Sequence, residues 1–262
     1  MSKFIAVCGS PGSGKTSVAL KVAQELYHLA NQASILVFSP DLQVPGLGYI
    51  FPHRKESELY SIGNVLEQTD VYREDVLKHT VTAKEMERLG YLGYKAGENK
   101  YSYPRPTEDK IRQLFRCMRE LADFVIVDCS SDRTDLLSSM ARNEADVVLQ
   151  IISPNLKTMC YYASNPDLLE SVSNSTVQII NVLDKDIYLP LQEVSRHFKG
   201  IPYTLPYCRS IKQQSITGTL SHMVTDRAYR KVAKDIAKAV IRVFPGRWPW
   251  EIGVALSMIM PL

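Results

Sequence analysis

The chain has 262 residues and a net charge of +3, with 45% hydrophobic and 23% charged residues. These values are ordinary for a globular domain, and the small positive charge does not by itself indicate nucleic-acid binding. The five cysteines are scattered and lack the paired spacing of a zinc site, so we expect reduced thiols. The first strand begins at once and no uncharged apolar run reaches the roughly 20 residues of a spanning helix. We therefore expect a cytoplasmic protein without a signal peptide.

The strongest motif lies near the start of the chain, within residues 3–26. Residues 4–8 form a short apolar run that predicts a strand. Residues 9–16 (GSPGSGKT) then match the phosphate-binding pattern G-x-x-x-x-G-K-S/T at every fixed position. Apolar residues at helical spacing follow, so the loop is expected to join a strand to a helix. Because backbone N–H groups and the positive end of a helix surround a phosphate in that setting, we predict a nucleoside triphosphate site.

Two side chains of this loop have distinct predicted roles. Lys15 can reach the β- and γ-phosphates, and the Thr16 hydroxyl can bind Mg²⁺. The alternative is a glycine-rich turn that contains an incidental lysine. The strand and helix patterns on either side favour the nucleotide site over that alternative.

Strand and helix patterns alternate through the rest of the chain. A second strand is predicted at 34–38, and a mostly irregular segment, with room for one short helix, at 42–60. Residues 61–90 show weak helical periodicity, and Thr107 is the predicted N-cap of a helix that runs to Leu121. Further strands are predicted at 124–127, 147–152, 177–182 and 203–205, with helices around 133–143, 155–172 and 189–198.

The alternation of apolar strands with helices defines the expected fold class. Such strands are buried on both faces, so we predict an α/β protein with a three-layer, doubly wound, mostly parallel sheet. Ligands on these sheets bind beyond the carboxyl ends of the strands. We expect one nucleotide-binding domain over 1–245 and an apolar C-terminal tail over 246–262.

Four tyrosines lie between residues 90 and 106, together with glycines and prolines. Two hypotheses stay open for this cluster: a surface that stacks nucleic-acid bases, or the partly buried wall of a loop. We favour the buried wall, because it is the commoner use of such a cluster.

Two aspartates at predicted strand ends are candidates for the chemistry of the bound nucleotide. Asp128 follows the apolar run 124–127, where the Mg²⁺-supporting aspartate of phosphate-loop proteins usually lies. Its alternative role is to cap the next turn. Asp41 ends the second strand and is a candidate for holding Mg²⁺ or orienting an attacking water, or else it is a turn residue beside Pro40.

Five segments of the chain resemble the MinD/ParA family of P-loop ATPases, including its CpaE/TadZ branch, which is linked to pilus assembly. The similarity extends over roughly residues 3–245. The segments are 10–17 (SPGSGKTS), 39–51 (SPDLQVPGLGYIF), 122–131 (ADFVIVDCSS), 143–155 (NEADVVLQIISPN), and 180–184 (INVLD) with 205–218 (LPYCRSIKQQSITG).

The resemblance implies ATP and Mg²⁺ as cofactors and assigns residues to them. It implies Mg²⁺ and water positioning by Asp41 and Asp128, with Thr16 as a further metal ligand and Lys15 as a catalytic residue. Asn181 would contact the adenine, and the loop at Pro206 would form the other wall of the base pocket. The phosphate-binding residues implied by the family are Gly12, Ser13, Gly14, Lys15, Thr16 and Ser17.

Three positions depart from the family pattern. Ser10, followed by Pro11, replaces the lysine that reaches across a nucleotide-bound dimer in the family. Ser39 replaces the first aspartate of the D-x-D segment, and residues 130–131 are serines in place of two prolines. Because positive charge near the transferring phosphate stabilises the transition state, we expect slow or partner-dependent hydrolysis and weaker dimerisation. The guanine motif N-K-x-D is missing from the sequence, which favours ATP over GTP.

Two C-terminal regions are candidates for partner binding. Residues 226–244 predict a helix with an apolar face and many basic residues, which could contact DNA phosphates or anionic lipid; the simpler alternative is a solvated helix face. DNA binding is otherwise not indicated. Residues 248–262 are almost uniformly apolar and are expected to pack on the domain or on a partner subunit, with membrane or pilus-machinery docking left open.

Three functions remain open from the sequence. The first is a cytoplasmic ATPase whose nucleotide state controls association, in positioning or assembly of a pilus or secretion apparatus or other cargo. The second is a small-molecule phosphotransferase, which would need a substrate pocket with several arginines near the γ-phosphate; Arg105, Arg112 and Arg133 are not obviously arranged that way. The third is a nucleotide-binding scaffold that does not hydrolyse ATP, which the serines at positions 10 and 39 favour.

Overall fold

A central parallel sheet organises the protein. The computed structural model describes residues 2–83, 85–170, 175–186, 188–198 and 200–242. In this part of the chain the strands are β1 (Lys3–Gly9), β2 (Ile35–Ser39), β3 (Val81–Ala83), β4 (Met86–Gly93), β5 (Phe124–Asp128), β6 (Val147–Ile152), β7 (Thr176–Asn181) and β8 (Tyr203–Leu205). They form one sheet of order β3-β4-β2-β5-β1-β6-β7-β8, parallel throughout except for the antiparallel pair β3 and β4.

Helices connect the strands and cover both faces of the sheet. They are α1 (Lys15–Leu29), α2 (Gly46–Ile50), α3 (Ile62–Glu67), α4 (Arg73–Lys78), α5 (Glu108–Leu121), α6 (Leu136–Glu144), α7 (Leu156–Ala163), α8 (Asp167–Glu170), α9 (Leu191–His197), α10 (Arg209–Thr217) and α11 (Arg227–Arg242). The predicted N-cap of α5 is confirmed, since the Thr107 side chain accepts a hydrogen bond from the Lys110 N–H. A cap of this kind satisfies a backbone donor that the first helical turn leaves free.

Alternate residues of the central strands enter two different apolar layers. In β1, Ile5 and Val7 pack in the layer that contains α1 and α11, and Phe4 packs in the layer of α5 against Phe115. The central strands are buried on both faces, which is why their sequences are continuously apolar. The predicted fold class, an α/β protein with a three-layer, mostly parallel sheet, is confirmed.

The segment 61–90 is only partly helical, contrary to its weak helical periodicity. The first half forms α3 and α4, but the second half enters β3 and β4. Gly90 lies close to the residue that precedes β3: a Cβ at this position would be 2.4 Å from the Thr80 methyl group. The start of β4 contains helix-favouring residues, so its strand conformation does not come from local propensity; Met86 there pairs with Ala83 of β3.

A second difference concerns 205–218, which was expected to be a loop and contains the helix α10. None of its residues is buried, so its sequence carries no apolar face from which a helix could be predicted. The helix ends at Gly218, which has φ of 68°, a left-handed conformation typical of a C-terminal glycine.

The predicted basic helix is confirmed as α11, which packs on α1. Its buried face is formed by Tyr229, Ala233, Ile236, Ala237 and Val240, and the neighbouring apolar residues Val232 and Ala239 are only partly buried. Residues 243–262 lie outside the described residues. They include the predicted apolar tail, whether it is taken as 246–262 or as 248–262. None of the helices in the described part of the chain has the length and apolar character needed to cross a bilayer.

The four tyrosines do not form one surface: Tyr91 lies in β4 and packs on Phe51, whereas Tyr94 and Tyr103 pack on each other in the other apolar layer. Tyr91 and Tyr94 are fully buried, and the Tyr103 hydroxyl donates to Glu98 and Asn64. Tyr101 alone among the four is fully accessible, with 84% of its surface exposed. Since one exposed ring cannot form a stacking platform, the cluster does not support base stacking.

Candidate nucleotide site

A cavity of about 960 Å³ opens beyond the carboxyl ends of the central strands. This cavity is called the cleft below. It contains nearly all of the residues that were predicted to bind nucleotide or metal: Gly12, Gly14, Lys15, Thr16, Ser17, Asp41, Asp128, Asn181 and Pro206. Ser13 is the exception, because it is completely buried beneath the loop and does not line the cleft.

The backbone of the phosphate loop depends on two glycines. Gly12 and Gly14 have φ of 71° and 86°, a region that residues with a Cβ rarely adopt. Gly14 directly precedes α1, and a Cβ there would lie 2.4 Å from Asn181 Nδ2. The first helical turn therefore begins at the loop, and its N–H groups face the place where an anion would bind.

The Lys15 ammonium group lies across the loop. Its Nζ donates to the Ser10 carbonyl at 3.3 Å and to Ser131 Oγ at 2.5 Å. Ser131 Oγ in turn donates to the Gly9 carbonyl at 2.9 Å. Lys15 thus joins the loop to the segment after β5, and its charge faces the cleft where β- and γ-phosphates are predicted.

Thr16 and Asp128 form the part of the site that suits a divalent cation. Thr16 Oγ1 donates to Asp128 Oδ2 at 2.6 Å, and Asp128 is 5% exposed. Asp128 Oδ1 is buried and has no hydrogen-bond partner among the described residues. A buried carboxylate oxygen without a partner is costly, and Mg²⁺ is an oxygen-seeking ion that would satisfy it.

The electrostatics of Asp128 reflect its burial. Burial raises the pKa of this carboxyl to about 6, and the Asp41 charge acts in the same direction. The hydrogen bond from Thr16 and the charge of Lys15 oppose the shift. In the described residues no group of three or more His, Cys, Asp or Glu side chains could hold a metal ion by itself.

Asp41 has a turn role that is visible in the structure. Its Oδ1 accepts hydrogen bonds from the N–H groups of Gln43 at 2.8 Å and Val44 at 3.2 Å. These are the contacts expected of a turn aspartate, the alternative weighed for this residue. Asp41 nevertheless lines the cleft, so its predicted role with Mg²⁺ or water stays a prediction.

Each of the three departures from the family pattern is structurally accommodated. Ser10 is 1% exposed, and its hydroxyl is 2.9 Å from Thr158 Oγ1 on α7. The Ser39 side chain lies so close to Gly46 that a Cβ on Gly46 would be 2.6 Å from its hydroxyl. Ser131 holds Lys15, as described above. Position 10 is therefore packed inward and does not present a side chain to the cleft.

Asn181 is located under the phosphate loop at the end of β7. Its Nδ2 donates to the Ser13 carbonyl at 2.9 Å, and the residue is 4% exposed. The side chain therefore supports the loop, a role that the sequence did not predict. Near Asn181 the lining of the cleft also includes Pro206 and the α10 residues Ile211 and Lys212. Lys212 Nζ lies 3.5 Å from Asp184 Oδ1. The predicted adenine contact of Asn181 stays a prediction.

Several residues of the site carried no signal in the sequence. Thr158 and Ser131 were not identified as contacts of the phosphate loop, because single hydroxyl residues on distant segments form no motif. Tyr161 was also missed; its hydroxyl is 3.5 Å from the Ser131 carbonyl. Together these residues connect α7 to both loops that line the phosphate end of the cleft.

Comparison with known proteins identifies the fold. No protein-family profile and no curated protein sequence matches this chain. Among solved structures, a ParA family ATPase from Chlorobium tepidum TLS has a TM-score of 0.72 at 14% identity, covering 90% of this chain and 98% of that one. The cell division ATPase MinD of Pyrococcus furiosus gives 0.70 at 16% identity, covering 93% and 100%. MinD of Pyrococcus horikoshii OT3, solved with Mg-ADP, gives 0.69 at 16% identity, covering 93% and 97%. The chain therefore has the fold of MinD/ParA P-loop ATPases.

Proposed function

We propose that this protein binds ATP with Mg²⁺ in the cleft and acts as a nucleotide-dependent switch of the MinD/ParA type. The observation that carries the proposal is the Thr16–Asp128 pair, with its unpartnered Asp128 oxygen, beside the Lys15 ammonium group. Thr16 and Asp128 would hold Mg²⁺ there, and the ion would neutralise negative charge on the phosphates. The solved relative that contains Mg-ADP supports the same cofactors for this fold.

Hydrolysis is proposed to be slow. Position 10 supplies no positive charge to the phosphates, because it is a serine. Its side chain is buried against Thr158. Asp41 is the proposed residue for water or Mg²⁺, although its Oδ1 already accepts two turn hydrogen bonds. One positive charge fewer at the transferring phosphate removes transition-state stabilisation without preventing ATP binding.

The finer role rests on the sequence resemblance alone. We propose that the switch positions or assembles a cellular cargo, with a pilus or secretion apparatus as the candidate from the CpaE/TadZ likeness. A homodimer is proposed to form only weakly with ATP, since Ser10 offers no cross-subunit charge. Sedimentation with and without a non-hydrolysable ATP analogue tests this, and a tight nucleotide-dependent dimer would contradict it. A cytoplasmic location and peripheral membrane contact through α11 or the tail remain proposals.

The decisive experiment measures Mg-ATP binding by calorimetry. The Lys15→Ala variant is expected to lose about a hundredfold in affinity, because removing one partner of a buried charge contact costs about 2–5 kcal/mol. Lys78→Ala is the matched control, since Lys78 is an exposed lysine on α4. Equal ATP affinity of the folded Lys15→Ala variant and the control would remove the basis of the proposal.

One alternative function has specific support. A nucleotide-binding scaffold without hydrolysis agrees with the turn bonds of Asp41 and the inward packing of Ser10. Mg-ATP binding without phosphate release under any condition would establish it. The phosphotransferase hypothesis is not supported: Arg105, Arg112 and Arg133 are missing from the described lining of the cleft. Arg112 instead pairs with Glu108 and Asp109, and Arg133 with Asp167.

A further inference from the structure

Two cysteines lie directly behind the phosphate loop, and the proposed function gives them no role. Cys8 precedes Gly9, the first residue of the loop, and Cys129 follows Asp128. The register of β1 on β5 pairs Val7 with Asp128, so the two cysteines occupy the next positions on adjacent parallel strands. The Cys129 N–H donates to the Val7 carbonyl at 3.0 Å, which shows that the strands are still side by side at this point.

Both thiols lie on the same face of the sheet. They belong to the apolar layer of α5 and α6, opposite to the side chain of Asp128. Neighbouring strands are about 4.8 Å apart, and a disulfide joins Cα atoms that are about 4.4–6.8 Å apart. A bond between the two sulfurs therefore needs no large movement of either strand.

A second cavity, of about 310 Å³, reaches the two cysteines from this face. Its lining also includes Arg142 and Tyr161. Cys8 is partly exposed whereas Cys129 is 2% exposed, so a small reagent in the cavity would meet Cys8 first.

We propose that Cys8 and Cys129 form a redox-active dithiol whose substrate is a low-molecular-weight disulfide that enters the second cavity. The Cys8 sulfur attacks one sulfur of that disulfide, whose S–S bond breaks, and one thiol leaves with the proton from Cys8. Cys129 then attacks the Cys8 sulfur of the mixed disulfide, and the second thiol leaves with the Cys129 proton. The protein dithiol is oxidised by two electrons, and the external disulfide is reduced to two thiols.

Oxidation would act on the nucleotide site, a consequence that rests on the proposed function. A Cys8–Cys129 bond ties the start of the phosphate loop to the strand end that carries Asp128. The Thr16–Asp128 contact of 2.6 Å depends on the same two segments, so a change in their spacing alters the Mg²⁺ position. We expect the oxidised protein to bind Mg-ATP about tenfold more weakly, because a displacement too small to disturb the strands still changes a contact of 2.6 Å.

The test begins with the reduced full chain and hydroxyethyl disulfide as the probe. After reaction, free thiols are blocked under denaturing conditions, and the product is analysed by intact mass and peptide mapping. The wild type is expected to give linked peptides that contain Cys8 and Cys129, together with a separate mixed disulfide on the exposed Cys160. Cys160→Ser is the matched control, because Cys160 is exposed on α7, and it should give the same link. Cys8→Ser should give no link, and Cys129→Ser should stop at a mixed disulfide on Cys8.

The outcomes test the dithiol and its effect on nucleotide binding separately. A wild type that gives no Cys8–Cys129 peptide, or that links either cysteine to another one, overturns the dithiol. This mapping needs no nucleotide, so it is independent of whether the protein binds ATP. If Cys129→Ser does not fold, the wild-type map alone still decides. A linked protein whose Mg-ATP affinity equals that of the reduced protein would overturn the effect on the nucleotide site.

Discussion

The phosphate end and the base end of the cleft are built in different ways. The end of the cleft proposed to hold the phosphates comes mostly from one continuous stretch, in which the backbone of Gly12 and Gly14 precedes the first turn of α1. The end proposed to hold the base comes from the end of β7, the turn at Pro206 and α10. In the proposed complex, main-chain geometry would do most of the binding at the phosphate end, whereas side chains from separate elements would be needed at the base end.

Asn181 connects the two ends, and this contact shows what the difference means. Its amide supports the Ser13 carbonyl at 2.9 Å, while the residue also lines the cleft. A residue expected only to contact the base is thus part of the scaffold under the phosphates. Changes at the phosphate end should therefore remove all binding, whereas changes at the base end should reveal which of the two roles a residue has.

The largest effect is expected from Gly14→Ala. An alanine at this position would have to adopt φ of 86°. Its Cβ would lie only 2.4 Å from Asn181 Nδ2 and would displace that side chain. With about 1–2 kcal/mol of backbone strain and the lost support of Ser13, we expect ATP affinity to fall about a hundredfold. Gly97→Ala is the matched control, because Gly97 has the same φ of 86° with nothing within 4 Å of its Cβ position.

Calorimetry with Mg-ATP checks this pair of variants. Gly97→Ala should lose about 1–2 kcal/mol of unfolding free energy and keep its ATP affinity. If Gly14→Ala binds ATP as tightly as Gly97→Ala, the loop conformation does not determine binding.

The same contrast explains how much could be predicted from the sequence. The phosphate loop, the central strands and Asp128 were predicted because each is encoded by a local pattern. The helix α10 was missed because it buries no residue, and β4 was missed because pairing with β2 and β3 overrides its local propensity. Contacts such as Ser10 with Thr158 link residues 148 positions apart, and no local pattern encodes such a distance in the chain.

The next effect concerns the stability of the nucleotide-free protein, in the variant Asp128→Asn. Burial raises the Asp128 pKa from 3.8 to about 6, so its contribution to stability is present below pH 4 and is lost as the pH rises through 6. The asparagine does not titrate. Relative to the wild type, the variant should therefore gain about 2 kcal/mol of unfolding free energy between pH 4 and pH 8.

Urea unfolding at the two pH values measures this difference. Asp132→Asn is the control: hydrogen bonds to Thr134 lower the pKa of Asp132 below its ordinary value of 3.8, so its contribution to stability changes mainly below pH 4 and its substitution should leave the difference between pH 4 and pH 8 almost unchanged. If the unfolding free energies of the wild type and Asp128→Asn change with pH in the same way, burial does not raise the pKa of Asp128. Mg-ATP should bind more weakly to Asp128→Asn at pH 8, since the Mg²⁺-supporting charge is lost.

A smaller effect is expected from Asn181→Ala, and it tests the two roles of this residue. The loss of one hydrogen bond to a buried carbonyl costs about 1–3 kcal/mol, so ATP affinity should fall about tenfold. Inorganic tripolyphosphate, which has no base, is the comparison ligand. If Asn181 supports the loop, both ligands should weaken by the same factor.

The opposite result is equally informative. If ATP weakens while tripolyphosphate does not, Asn181 contacts the adenine and its bond to Ser13 is energetically minor. Lys185→Ala is a suitable control for this comparison, because Lys185 is exposed and does not line the cleft. The pair of ligands thus separates the base end from the phosphate end at the one residue that belongs to both.

The smallest effect on binding is expected from Asp41→Ala, because Asp41 lies at the rim of the phosphate end. Its Oδ1 holds the turn through Gln43 and Val44, and losing these exposed bonds should change ATP affinity by no more than about threefold. If Asp41 also orients water or Mg²⁺, phosphate release in single-turnover assays should fall far more than affinity does. Asp41→Asn separates the two roles, since its side-chain oxygen can still accept the turn bonds while its charge is lost. Slow release in both variants assigns the charge to the chemistry. Wild-type release in Asp41→Asn, with or without a defect in Asp41→Ala, reduces Asp41 to a turn residue and leaves Asp128 as the carboxylate of the site.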